Sequence, residues 1–235
     1  MIRGTRAKMI RGTRADMIRG TRADMIRGTR ADMIRGTRAL YERWGKRGFD
    51  IAAALLLLLA LAPLLALVAM AVRLRLGRPV LFVQTRAGCG GRPVRLPKFR
   101  SMREGAGSDA DRLDRFGRAL RASALDELPQ LVSVLRGEMS LVGPRPLPMA
   151  YLPHYTPRQR LRCDVRPGLA GPGVAAGRNA IGWPERLERD AGYAASPPSL
   201  RRDIGLLRRT LGVWLAGRGA HAPGHATMPP FTGGA

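Results

Sequence analysis

Residues 46–78 read KRGFDIAAALLLLLALAPLLALVAMAVRLRLGR, and this stretch decides what kind of fold the chain can have. Within it, residues 51–72 form a run of 22 residues without a charge. As a helix the run would extend about 33 Å, which is enough to cross the hydrocarbon layer of a membrane. A cleaved signal peptide fits poorly, because the run is too long and no small-residue cleavage site stands out. A buried helix of a water-soluble domain fits poorly too, since leucines surround the whole helix.

The path of this segment through a membrane is left open by two features. Pro63 lies in the middle, where a proline removes a backbone hydrogen bond and kinks a helix. Basic residues flank both ends, and such residues prefer the cytoplasmic side of a membrane. A helix bent at Pro63 that enters and leaves by one face satisfies both flanks, whereas a straight span satisfies one. Asp50, near the entrance, is expected to pair with Arg47 or a neighbouring basic residue, or to cap the helix.

The first 40 residues repeat one eight-residue unit five times. Such a unit is too short to bury a face of its own, and its period fits no supercoil. We interpret residues 1–40 as a disordered, dispensable tail, and Met33 as a possible start of translation. Residues 220–235 are rich in proline and glycine and are also expected to be disordered.

The formal charge of the chain is +24, and it remains +16 once the +8 of the tail is set aside. A charge this large predicts a polyanionic partner, which could be nucleic acid, an acidic membrane surface or a phosphorylated substrate. Aromatic residues make up only 5% of the chain, so stacking on single-stranded nucleic acid is poorly supported. The two cysteines and three histidines show no spacing typical of a zinc site.

Residues 80–99 predict a β-hairpin, with strands over 80–84 and 94–99. The glycines between the strands favour a turn over a phosphate-binding loop, because no GK[ST] motif follows them. Lys98 and Arg100 occupy alternate strand positions and would project from the same face. The simpler alternative for these two cations is a solvated edge.

The segment that follows carries a pair of neighbouring carboxylates. Residues 109–120 predict one amphipathic helix, with Leu113, Phe116 and Leu120 on one side. A second helix should begin near Asp126, because Pro129 is tolerated only in a first turn.

The carboxylate pair has two interpretations. Asp126 could simply cap the second helix with Glu127 in its first turn, and spacing alone favours this reading. Alternatively, the helix dipole and nearby arginines keep a carboxylate ionised as a nucleophile. Three more cations, which a cap would not need, suit a phosphate-handling site: Lys98, Arg121 and Arg145.

Residues 199–217, SLRRDIGLLRRTLGVWLAG, predict an amphipathic helix near the end of the chain. Its apolar face would be formed by Leu200, Ile204, Leu207, Leu211 and Trp214. A basic helix of this kind could lie on an anionic membrane or pack on the core, and the pattern leaves both open.

Four motifs in this order and spacing resemble those of the bacterial sugar transferases: KFRSM at 98–102, LDELPQL at 125–131, MSLVGPRP at 139–146 and RPGLAG at 166–171. This family comprises monotopic phosphoglycosyl transferases that initiate exopolysaccharide, O-antigen or glycoprotein glycan assembly. The resemblance extends from about residue 46 to residue 219. It implies transfer of a sugar 1-phosphate from a nucleotide diphosphate sugar to undecaprenyl phosphate, with release of a nucleoside monophosphate.

The resemblance also implies roles for individual residues. Asp126 matches the nucleophile that forms a covalent phosphosugar intermediate, and Glu127 matches its partner; both are expected to hold Mg²⁺. The residues expected at the substrate phosphates are Lys98, Arg100, Arg121 and Arg145. Pro63 matches a break in the membrane helix, which favours the re-entrant path. Residues 170–179, AGPGVAAGRN, depart from the family pattern and point to altered substrate selection or loop packing.

We therefore expect an α+β fold with a re-entrant membrane helix hairpin at 41–78. A small, mostly helical catalytic domain with a short β-hairpin would occupy 79–219 and face the cytoplasm at the bacterial inner membrane. The expected partners are the nucleotide sugar, undecaprenyl phosphate, Mg²⁺ and the membrane, without nucleic acid. The alternative is a catalytically inactive relative that acts as a basic, membrane-anchored adaptor.

Overall fold

The computed structural model describes residues 41–106, 108–219 and 228–233. The chain divides into two compact units, Met1–Gly45 and Lys46–Ala235. In the first unit, Tyr41–Gly45 forms a single π-helical turn, and the predicted tail at 1–40 lies outside the described residues. The second unit contains all of the motifs named above.

The long apolar segment forms two helices, α1 (Lys46–Ala60) and α2 (Ala62–Leu76), which meet at an angle of 62°. Pro63 lies in the first turn of α2, where its missing N–H costs no intrahelical hydrogen bond, whereas α1 could not continue through it. In the described part of the chain, no single helix has the length and apolarity to cross a membrane, although this bent pair has both when taken together. Many large apolar side chains of the pair are exposed, including Leu56, Leu67 and Leu74.

The predicted β-hairpin is confirmed, with somewhat different bounds. Strand β1 (Leu81–Ala87) pairs antiparallel with β2 (Pro93–Phe99) in a register that runs from Leu81 opposite Phe99 to Ala87 opposite Pro93. The turn between them contains a short 3₁₀ segment in which Gly90 and Gly91 have φ of +66° and +71°. Left-handed backbone of this kind favours glycine, as the interpretation of the segment as a turn requires.

The remaining elements are mostly short, apart from two longer helices near the end of the chain, and their mixture of helices and small sheets agrees with an α+β fold. In chain order they are α3 (Asp109–Arg112), α4 (Arg115–Ala122), α5 (Leu131–Arg136), β3 (Ser140–Val142), α6 (Pro157–Arg160), β4 (Gly168–Ala170), α7 (Pro172–Ala175), α8 (Trp183–Ala194) and α9 (Leu200–Leu215). Strands β3 and β4 pair in parallel. Besides the 3₁₀ segment of the hairpin turn, the described residues contain 3₁₀ turns at Leu125–Gln130, Met149–His154, Leu161–Cys163 and Arg178–Ala180.

The single helix predicted over 109–120 is wrong, because the chain breaks it into α3 and α4. Leu113 leaves the helical region with φ −97° and ψ 94°, and the Asp114 carboxylate accepts a hydrogen bond of 2.8 Å from the Gly117 amide. Asp114 therefore starts a new helix as its N-cap. Leu113 and Leu120 are both buried, as their predicted common side requires.

Three polar side chains of α1 attach this helix to the rest of the unit. Asp50 is buried and accepts hydrogen bonds of 3.0 Å from Ser140 Oγ and from the Leu141 amide. The expected pairing of Asp50 with Arg47 is wrong, because Arg47 instead donates to the Val134 and Leu135 carbonyl groups at the C-terminal end of α5. Lys46 forms an ion pair of 2.9 Å with the buried Asp203 of α9.

Helix α9 packs on the core by a different face from the predicted one. Asp203, Leu206 and Thr210 are buried, and Tyr193 donates a hydrogen bond of 2.8 Å to Asp203. Of the predicted apolar face, Leu207 packs against the core, whereas three residues remain exposed: Leu200, Ile204 and Leu211. One side of α9 is therefore buried against the core, and the other side exposes apolar residues.

The largest buried cluster lies where α1, α5, β2 and β3 meet, and contains Ala54, Leu96, Leu131, Val134, Met139 and Val142. Of the C-terminal segment 220–235, the described residues 228–233 lie against the same unit. There Phe231 is buried among Tyr151, Tyr155 and Trp183, and Trp183 Nε1 donates a hydrogen bond of 2.9 Å to the Pro229 carbonyl.

Candidate active site

The two carboxylates lie in the first turn of a 3₁₀ helix, Leu125–Gln130, which continues directly into α5. The helix start is therefore close to the predicted position. Asp126 is not its cap, however, because Ala124 occupies that place with a left-handed φ of 57°. A buried residue that holds φ in this region without being glycine is uncommon, and such strain is typical of functional sites.

Glu127 is buried and fully paired. Lys98 Nζ donates to Glu127 Oε1 at 3.1 Å. Arg145 binds the same carboxylate in a bidentate manner, with Nη1 donating to Oε2 at 2.9 Å and Nη2 donating to Oε1. Burial by itself would raise the pKa of Glu127, but Arg145 and Lys98 outweigh it and hold that pKa well below its usual range. Glu127 is therefore ionised and serves to orient two cations.

Asp126 is also buried, but its Oδ1 atom has no hydrogen-bond partner among the described residues. Burial, and next the neighbouring charge of Glu127, raise the pKa of Asp126 to about 6. The nearby cations, Lys98, Arg121 and Arg145, lower the pKa of Asp126 but offset burial only in part. At neutral pH Asp126 remains mostly ionised and presents an unpaired oxygen.

The four cations predicted at the substrate phosphates are placed in three different ways. Lys98 and Arg145 touch the carboxylate pair directly. Arg121 lines the same cavity and is oriented by hydrogen bonds of 2.9 Å to Ser101 Oγ and Met102 Sδ.

Arg100 lies at the cavity wall, but its guanidinium group is used elsewhere. It donates to the carbonyl groups of Leu76 and Arg78, just after α2, and forms an ion pair of 2.6 Å with Glu104. Strand β2 ends at Phe99, so the alternation that would place Arg100 beside Lys98 no longer applies. Arg100 thus joins the end of the helix pair to the hairpin.

Buried contacts fix the position of the loop that carries Arg145. The Arg145 carbonyl accepts a hydrogen bond of 2.5 Å from Arg162, which is itself paired with the buried Asp190 at 2.8 Å. Gly143 lies so close to the neighbouring strand that a Cβ atom there would be 2.4 Å from the Arg166 carbonyl oxygen. The loop therefore has little freedom, which keeps the Arg145 guanidinium in register with Glu127.

Five further arginines of the cavity were missed by the sequence reasoning: Arg86, Arg178 and Arg186, together with Arg103 and Arg112. Burial and the charge of Arg145 lower the pKa of both Arg86 and Arg186 to about 10, and lower that of Arg178. The alternation of Phe82, Gln84 and Arg86 along β1 could have revealed the first of them. The second lies in the GRN segment, 177–179, but nothing local in the sequence marks Arg186.

Arg178 supports the carboxylate pair from outside it. Its guanidinium donates hydrogen bonds of 3.0 and 3.1 Å to the carbonyl groups of Arg121 and Ala122, just before Ala124. Its own carbonyl accepts a hydrogen bond from Arg186, and its φ is +55°. This chain of contacts connects the altered segment 170–179 to the turn that presents Asp126.

The cavity has a volume of about 700 Å³ and is strongly cationic. Three acidic residues line it, Glu104, Asp126 and Glu127, against nine cationic ones. The cationic set is Arg86, Lys98, Arg100, Arg103, Arg112, Arg121, Arg145, Arg178 and Arg186. Like charges held this close repel each other, so the arrangement favours an anionic ligand with several charges.

The carboxylate pair also suits a magnesium ion. In the described part of the chain there is no cluster of three or more His, Cys, Asp or Glu residues able to hold a metal. Magnesium, however, is commonly bound by one or two carboxylates together with substrate phosphates and water. Asp126 Oδ1 is a free oxygen donor, whereas both Glu127 oxygens are engaged by cations. The donors therefore fit the ion, with Asp126 as the ligand that offers an oxygen not engaged by a hydrogen bond.

Comparison with known proteins gives a consistent result. The family described as "Bacterial sugar transferase" matches residues 41–217. An uncharacterized sugar transferase, EpsL, of Bacillus subtilis is 42% identical over 80% of this chain and 96% of its own length. A UDP-glucose:undecaprenyl-phosphate glucose-1-phosphate transferase of Caulobacter vibrioides is 42% identical over 71% of this chain and 68% of its own. A UDP-N-acetylgalactosamine-undecaprenyl-phosphate N-acetylgalactosaminephosphotransferase of Aeromonas hydrophila is 37% identical over 74% and 44%, respectively.

Proposed function

The chain belongs to the bacterial sugar transferase family, and on this premise we propose that it transfers a sugar 1-phosphate from a nucleotide diphosphate sugar to undecaprenyl phosphate. One observation carries the proposal: Asp126, a buried carboxylate with an unpaired oxygen, faces a cavity lined by nine cationic residues. The names of the relatives supply the substrate classes, a UDP-sugar and undecaprenyl phosphate. The product would be the first lipid-linked sugar of a bacterial surface glycan.

The reaction would proceed by two displacements at one phosphorus atom. A carboxylate oxygen of Asp126 attacks the phosphorus bonded to the sugar, and the bond to the nucleoside monophosphate breaks, so that this group leaves with the electron pair. An oxygen of undecaprenyl phosphate then attacks the same phosphorus and displaces the Asp126 carboxylate. Splitting the transfer in this way lets a soluble donor and a lipid acceptor use the site in turn.

The other residues would act by position and charge. Lys98, Arg121 and Arg145 neutralise the phosphate oxygens, and Glu127 keeps two of these cations oriented. Asp126 and Glu127 would hold Mg²⁺, which when bound supplies further neutralisation of the phosphate charges.

The reaction must take place where the lipid phosphate lies, and the bent helix pair provides the means. Its exposed leucines, its angle of 62° and the basic residues at both ends support a re-entrant hairpin within residues 41–78. In this arrangement residues 79–219 are the catalytic domain and lie at the cytoplasmic face of the bacterial inner membrane. Residues 1–40 would be a dispensable tail.

The reaction is tested by release of nucleoside monophosphate from a panel of nucleotide diphosphate sugars, with membrane-embedded protein, undecaprenyl phosphate and magnesium. Release is expected from the parent protein and from Asp164→Asn, a matched control at an exposed aspartate, but not from Asp126→Asn. Incubation with the donor alone should also add the mass of one sugar phosphate to the parent. A folded parent that releases nothing from any donor would favour the inactive adaptor.

The membrane path is tested separately by labelling with a maleimide that cannot cross membranes. In a Cys89→Ser background that keeps the buried Cys163, one cysteine replaces either Trp44 or Arg95, which precede and follow the helix pair along the chain and are exposed. A re-entrant hairpin predicts that both are labelled from the cytoplasmic face. Labelling from opposite faces would show a straight span and refute the hairpin.

A further inference from the structure

Strand β1 presents a graded wall to the cavity. Its side chains at alternate positions, Phe82, Gln84 and Arg86, all line the cavity and pass from apolar through neutral polar to cationic. Residues four apart in a strand are separated by about 13 Å, so the wall changes character over the length of a few isoprene units. A purely ionic ligand would make no favourable contact with Phe82, at the apolar end of this wall.

Phe82 is 51% exposed, although it is a large aromatic residue within a concave wall. Lys98 lies directly opposite it on β2, and Lys98 Nζ donates to Glu127 Oε1 at 3.1 Å. An uncovered ring thus stands one strand away from the cation that touches the carboxylate pair. A ligand with an anionic head and an apolar chain would satisfy both groups at once.

The Phe82 end of the hairpin is also the end that adjoins the bent helix pair. Strand β1 begins five residues after α2 ends, and Arg100 binds the carbonyl groups of Leu76 and Arg78 there. Phe99, at the same end of β2, packs with Val68 and Val72 of α2. The outward side of α2 remains apolar and exposed, at Leu67, Met70 and Leu74. Apolar surface therefore continues from the cavity wall to the helices.

We infer that Phe82 contacts the first isoprene units of the lipid acceptor, whose chain leaves the cavity across this ring toward α2. The inference rests on the proposed function, because it takes a polyprenyl phosphate as the acceptor. The acceptor phosphate lies at Lys98 and the carboxylate pair, and the chain continues along the apolar surface into the bilayer. Phe82 is thus a binding residue for the acceptor and makes no contact with the nucleotide sugar.

The test compares two neighbouring residues on opposite faces of β1. Val83 is 46% exposed, similar to Phe82, but it lies on the face that points away from the cavity. With full-length protein in membranes, Phe82→Ser should raise the KM for undecaprenyl phosphate about 10-fold, the value of one lost aromatic contact. The KM for the nucleotide sugar should not change, Val83→Ser should behave as the parent, and Phe82→Leu should restore most of the affinity.

Two results would overturn the inference: a rise in the KM for the nucleotide sugar in Phe82→Ser, or an equal rise in the KM for the acceptor in Val83→Ser. A second measurement does not depend on turnover and so separates this inference from the proposed reaction. A polyprenyl phosphate with a diazirine in its first isoprene unit should label a peptide that contains Phe82. Labelling confined to other peptides would refute the inference even if the parent protein transfers sugar phosphate normally.

Discussion

The bent helix pair and the carboxylate cavity both invert the arrangement usual in a water-soluble protein. In the pair, α1 and α2, large apolar side chains such as Leu56 and Leu67 are exposed, at 67% and 68%. In the cavity, carboxylates and arginines such as Glu127 and Arg178 are buried. Exposed apolar side chains and buried charges both cost free energy in water. An apolar environment offsets the first cost, and ion pairs or a charged ligand offset the second. The exposed surface of the helix pair thus indicates where the protein works, and the buried charges of the cavity indicate what chemistry it performs.

The largest effect should come from Asp126, whose buried Oδ1 atom has no hydrogen-bond partner among the described residues. Asp126→Asn keeps the size of the side chain but removes the anionic oxygen, so activity should fall by at least about 10³-fold. The fold should be unaffected, because no hydrogen bond to Asp126 Oδ1 is lost. Steady-state release of nucleoside monophosphate, with thermal unfolding measured alongside, checks both statements. Retention of a tenth of the parent activity would mean that Asp126 is not the nucleophile.

A smaller effect is expected where a buried charge is paired. Arg145→Lys keeps the charge but loses the two-pronged grip on Glu127, and activity should fall about 10²-fold. Arg158→Lys is the matched control, because Arg158 also pairs with a glutamate, Glu188, but on the surface with half of both side chains exposed. Equal losses of activity in Arg145→Lys and Arg158→Lys would show that the buried pair matters no more for activity than the pair on the surface.

On the helix pair, a substitution that is harmless on the surface of a soluble protein should be costly. Leu56→Lys places a charge at an exposed apolar position, and should weaken insertion by about 2.5–3.5 kcal/mol if that position lies in the bilayer. The measurement is the membrane-bound fraction after flotation, with Val132→Lys on α5, also partly exposed, as the control. An unchanged bound fraction for Leu56→Lys would place the exposed leucines outside the membrane.

The smallest effect should come from the repeated tail. Translation from Met33 removes the first 32 residues, which are four copies of the eight-residue unit. Membrane binding and nucleoside monophosphate release should match those of the full chain within error. A marked loss of either would assign the repeat a role that its composition does not predict.

How far sequence reasoning reached is clearest for Lys98 and Arg100. In the structure Lys98 contacts Glu127, which strand alternation did not predict, since the alternation predicted only that Lys98 and Arg100 project from the same face. Strand alternation misplaced Arg100, because β2 ends at Phe99 and the Arg100 guanidinium donates to carbonyl groups at the end of α2. The same reasoning missed Arg86 and Arg186, whose place in the cavity depends on how separate elements meet.

The sequence by itself determined the apolar segment with its break at Pro63, the β-hairpin, the position of Asp126 and Glu127 in a first helical turn, and the family. These features are local, since they follow from runs of residues, proline geometry and ordered motifs. Only the tertiary structure decided which carboxylate is paired. Arg145 and Lys98 reach Glu127 from distant parts of the chain, while Asp126 Oδ1 has no hydrogen-bond partner among the described residues and the pKa of Asp126 is raised to about 6. Burial and ion pairing depend on which atoms the fold brings together, and a pattern of residues along the chain does not contain that information.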